Sequence, residues 1–112
     1  MPLYHKDIGF PKNMRFKAIE GLTPSQHALR EANSDRYGGF ALPTSFDPAS
    51  WVIIEIEVIN GALNKIVARK TYDATRDIVM AFVPQAKVIK TAWINVRDDS
   101  HKTLDRRAYD IP

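Results

Sequence analysis

Three histidines, a scatter of lysines and arginines and no cysteine set the chemistry open to this chain. Without Cys there is no disulfide framework, no thiolate metal site and no cysteine nucleophile. No two of His5, His27 and His101 stand at ligand spacing, so no metal is expected. The chain has no phosphate-cradling glycine loop, no GxSxG and no HExxH, and no cofactor is expected either. What remains is His27, Lys65, Arg69 and His101. Lys90, Arg97, Lys102, Arg106 and Arg107 accompany them, with Trp93 and Tyr109 interleaved. Such a set suits metal-independent RNA cleavage, which needs a base for the 2′-hydroxyl, a cation for the phosphate and an acid for the leaving oxygen. In that reading His27 and His101 serve as base and acid, and Lys65 and Arg69 hold the phosphate. Lys90, Arg97, Lys102, Arg106, Arg107, Trp93 and Tyr109 then line the path of the RNA. The same residues suit equally a passive surface that binds RNA or protein without catalysis.

The charge distribution bears on the partner. The 112 residues carry a net charge of +3. Residues 1–36 have 6 basic and 4 acidic side chains, residues 37–61 have none and 3, and residues 62–112 have 10 and 6. The basic excess therefore falls on the second half, which favours a polyanion such as RNA or the ribosome.

The elements that must position these residues are legible in outline. A length of 112 residues is one domain, with an irregular arm over 1–13 and a charged tail over 97–112. Four apolar runs rich in Val, Ile, Thr and aromatics, at 51–59, 63–72, 76–83 and 87–96, are joined by links short enough for antiparallel neighbours. The 76–83 run is apolar on both faces and reads as a central strand. Residues 14–19 alternate apolar and basic, as an edge strand would, with Arg15 and Lys17 sharing the exposed side. Thr23 reads as a helix N-cap, Pro24 as the first helical residue and Gln26 as the capping-box partner, with Gly38-Gly39 as the stop. Ala28, Leu29, Ala32 and Tyr37 form the apolar stripe, and His27 borders it.

These readings give an α+β domain: one main N-terminal helix packed on a four- to five-stranded antiparallel meander, with a short C-terminal tail or helix. At the Asn60-Gly61 turn a three-residue loop is preferred, because it sets Ile54 against Ile66 and Val52 against Ala68, with Glu55 against Lys65 and Trp51 against Arg69 on an open face. In the last strand Lys90 shares a side with Val88, Ala92 and Ile94. Phe40, Leu42 and Phe46 hold the Gly/Pro loop at 38–50 to the core edge.

A helix opening Ser25-Gln26-His27-Ala28 before a compact antiparallel meander resembles the small toxin-type ribonucleases of the RelE and barnase–colicin (BECR) kind. It also resembles small phage and mobile-element proteins that carry a helix-borne His-Ala pair. The resemblance spans about residues 14–109. Typical RelE proteins carry a second helix where this chain has its Gly/Pro loop. The resemblance implies a basic residue on a central strand, matched by Lys65 or Arg69, and His, Arg or Tyr near the last strand and tail, matched by His101, Arg106 or Tyr109. It implies a toxin-like RNA-binding protein or endoribonuclease with RNA, the ribosome or an antitoxin-like protein as partner. The alternative is a non-catalytic phage or mobile-element protein that binds a host protein, or itself, through a sheet edge and the long loop. No run of about 18 apolar residues and no signal-peptide pattern are present, so a location in the cytoplasm, of the host cell if phage-encoded, is expected and no membrane partner is.

Overall fold

A computed structural model of the chain describes residues 3–5, 10, 15–34 and 39–96. In chain order the elements are β1 (Leu3–His5), β2 (Ile19–Glu20), β3 (Thr23–Pro24), α1 (Gln26–Ala32), β4 (Ser45–Phe46), β5 (Val52–Ile59), β6 (Ala62–Thr71), β7 (Arg76–Val83) and β8 (Val88–Val96). The main sheet has six strands in the order β1-β5-β6-β7-β8-β3, and β2 and β4 form a separate two-stranded sheet.

This arrangement corrects the α+β expectation of a main helix packed on an antiparallel meander. The protein is mostly β, its main sheet is mixed, and its one described helix has only seven residues. The mixing arises at β3, which runs parallel to β8 through Thr23↔Val88 and Pro24↔Ile89. Helix α1 follows at once and packs chiefly beside β8, near that edge. Ala28 and Ala32 are its buried residues, whereas Leu29, read as part of the stripe, is exposed. Small side chains let the short helix lie close, and they leave the sheet to be covered by other segments. Phe46 does much of that covering: it is buried against Phe82 at 4.9 Å and Trp51 at 6.5 Å between ring centroids. Phe40 and Leu42 pack against the same core.

The core lies on both faces. On the first, Ile56, Ile66, Met80, Phe82 and Ile89 are fully buried; on the second, Ile54, Val67, Val79 and Ala81 are buried with Trp93 packed on them. Central β7 is buried from Asp77 to Phe82, as a strand lying between two covered faces must be.

Backbone geometry overturns three local readings. Asn60 and Gly61 both have positive φ (51° and 78°), the signature of a two-residue primed turn, and Ile59 pairs Ala62 directly. Two β-bulges in the β5–β6 ladder then shift the register, giving Val52↔Arg69, Ile53↔Ala68, Glu55↔Val67 and Glu57↔Lys65. One bulge lies at Ile54, so Ile54 and Glu55 are both buried and Trp51 joins the first core. The face carrying Glu55, Glu57, Lys65 and Arg69 is therefore not open at Glu55. Residues 15–18 are irregular, and only Ile19–Glu20 of that segment is a strand, paired with β4. In β8 a further bulge sets Ala81 opposite Thr91 but Phe82 opposite Ile89. Lys90 is the extra residue: it is exposed, while Ile89, Ala92 and Ile94 enter the core.

Candidate nucleic-acid interface

The β3–β8 edge is built from a short piece of chain in which each polar group has a task. Thr23 N–H donates to Lys87 O at 2.8 Å and Ser25 N–H to Ile89 O at 2.9 Å. The residue between them is Pro24, which lacks an N–H and loses nothing by facing outward. Ser25, rather than Thr23, is the helix N-cap: its extended backbone (φ −69°, ψ 167°) brings its Oγ within 3.1 Å of Ala28 N, from which it accepts. The same hydroxyl donates to Lys90 O at 2.9 Å. Sequence reasoning placed the cap two residues early because Thr-Pro fits a helix start equally well. The Ser25 cap leaves Thr23 and Pro24 free to be strand.

The tie of Ser25 to Lys90 sets α1 beside the start of β8. Lys87 is exposed in the preceding turn with φ +56°, Lys90 is exposed at the bulge, and His27 and Arg30 are exposed on α1. His27 and Arg30 stand three apart and so share a helix face. Half-buried Glu31 is the acidic neighbour on that face. Three exposed cations and one exposed imidazole are thus carried by the turn, the bulge and the helix that meet at one sheet edge. Chemically the edge can bind phosphate by charge and offers one group of suitable type to move a proton.

Lys65 and Arg69 do not join this group. They lie four residues apart along β6, roughly 13 Å at strand spacing, and two strands from β8. Arg69 is engaged on its own face: its Nη1 is 3.0 Å from Oδ2 of Asp77, which is fully buried. Lys65 is half-buried opposite Glu57. Trp93, in register with Val79 and through it with Arg69, packs in the second core. His101, Arg97, Lys102, Arg106, Arg107, Tyr109 and Tyr37 lie outside the described residues. Of the three described catalytic candidates, His27 is therefore the one carried by the helix that packs beside β8. Lys87 and Arg30 were missed; reading Thr23-Pro24 as an edge strand would have brought Lys87 to α1.

Among the described residues, no group of three or more metal-ligating side chains forms. No described helix is long and apolar enough to cross a membrane. No family model, curated protein or solved structure matches the chain.

Proposed function

We propose that the chain is a cytoplasmic RNA-binding protein of the toxin type that grips the phosphate backbone along the β3–β8 edge and cleaves it without a metal. The observation that carries this reading is the parallel β3–β8 pair, which sets exposed Lys87 and Lys90 beside the helix bearing exposed His27 and Arg30. Lys87, Lys90 and Arg30 hold phosphates. His27 takes the proton from a 2′-hydroxyl as that oxygen attacks the adjacent phosphorus; the 5′-oxygen departs and must be protonated by a second group. The sequence candidate for that acid is His101. The resemblance to RelE and barnase–colicin ribonucleases supports the same reading through Ser25-Gln26-His27-Ala28.

The test is incubation with total RNA and with ribosomes in EDTA, beside His27→Ala and the double variant Lys87→Ala/Lys90→Ala, with binding measured over a salt series. Cleavage lost in His27→Ala, together with a log–log salt slope shallower by about 0.7 per lysine removed for single-stranded RNA, is the expected result. Binding without cleavage in every protein removes the enzymatic half. Absence of salt-dependent binding removes the whole reading.

A further inference from the structure

At the opposite side of the segment leading into β3, a groove of about 400 Å³ opens on the first face of the sheet. Its floor is Ile19, Leu63 and Ile66, with Pro84 and Gln85 of the β7–β8 turn as one wall and Arg15 and Lys17 at the rim. Ile66 is buried, Ile19 and Leu63 half-buried, and Arg15 and Lys17 exposed. A second cavity of about 210 Å³ shares Leu63 and Gln85 and continues past Ile59 and Ala62 toward the Asn60-Gly61 turn. The volume lies within the roughly 300–1,000 Å³ of small-molecule sites. The chemistry is divided along its length: an apolar floor, two cations at one side and no carboxylate among the described residues that line either cavity. A neutral apolar ligand would leave those cations unused, and a small inorganic anion would leave the floor bare.

We propose that this groove binds a free medium-chain carboxylate or a comparable small amphiphilic anion, its head held by Arg15 and Lys17 and its chain laid over Ile66 and Leu63 toward Gln85. The ligand's apolar surface replaces water over the floor, and the charge-assisted contacts at the rim fix which end points where. The groove shares the β7–β8 turn with Lys87 of the proposed RNA-binding edge, but none of its lining residues is among those assigned to RNA.

Calorimetric titration with decanoate, with decanol as the uncharged comparison, tests it. Saturable binding of decanoate is expected, with amide resonances of Ala18, Leu63 and Gln85 shifting in step. Arg15→Ala/Lys17→Ala should weaken decanoate by about tenfold while changing decanol little. Gln85→Trp, at an exposed turn position, should fill the groove and abolish binding of both; its circular dichroism reports whether it folds. Absence of binding up to about 1 mM decanoate overturns the proposal, as does equal binding by wild type and the rim variant. Binding unaffected by folded Gln85→Trp places the ligand elsewhere and also overturns it.

Discussion

The Ser25 hydroxyl donates to the backbone carbonyl of Lys90 at 2.9 Å while its oxygen accepts from Ala28 N at 3.1 Å. One side chain thus starts the helix and fastens it to the sheet at the bulge that exposes a lysine.

Ser25→Ala removes both bonds. It should lower stability by about 1–2 kcal/mol, read from the urea midpoint. RNA affinity should fall as well, although Ser25 carries no charge, because α1 loses its fixed position beside Lys90. Unchanged stability would mean that the cap is idle.

Arg69→Ala should separate structure from function. It withdraws the guanidinium from Asp77, a fully buried carboxylate, and should destabilise by roughly 1–3 kcal/mol. Arg69 is itself about a quarter exposed, so the loss falls short of that for an enclosed ion pair. RNA binding by the folded variant should be unchanged. A loss of binding at unchanged stability would return Arg69 to the RNA site.

Gly61→Ala tests the turn. No atom lies within 4 Å of an added Cβ, so any cost must come from the backbone at φ +78°. A loss of about 1 kcal/mol or more is expected in thermal or urea unfolding. Asn60→Gly, at φ +51°, should be nearly neutral.

The turn between β6 and β7 gives a pH dependence. Asp73 Oδ2 accepts from Arg76 Nε at 2.8 Å, and its Oδ1 accepts from the backbone of Thr75 and Arg76. The Arg76 bond chiefly, then that of Thr75, holds the Asp73 carboxyl below its ordinary 3.8. A lowered folded value contributes stability that is complete well above 3.8 and is lost as pH falls through the folded value. The stability gap between wild type and Asp73→Asn should therefore be flat from neutral pH to about pH 5 and close below 3.8. A gap that widens on acidification would contradict the assignment.

Long strands declare themselves in this sequence because a strand needs only composition, alternation and a turn at each end. Runs 76–83 and 87–96 meet these conditions, and the corresponding strands are Arg76–Val83 and Val88–Val96. Two-residue strands such as Thr23–Pro24 carry no periodicity, so the parallel edge that makes the sheet mixed left no local trace. Bulges are equally silent. The alternation of β8 placed Lys90 with Ala92 and Ile94, and a single inserted residue moved it to solvent and drew Ile89 inward. The same shift at Ile54 buried Glu55, read as open. For the site, residue type pointed to His27 and Lys90 separately. Their common edge depends on a pairing 65 residues apart in sequence, sealed by Ser25 and Lys90.

Pro24 has one more consequence, for assembly. Its neighbours' N–H groups both turn inward to β8, and the proline itself offers no donor outward. An incoming strand would find two residues of partner and half a ladder, too little to extend the sheet. The described edge is thus closed to β-augmentation, so the RNA proposed to dock there would be selected by side-chain charge and not by backbone pairing.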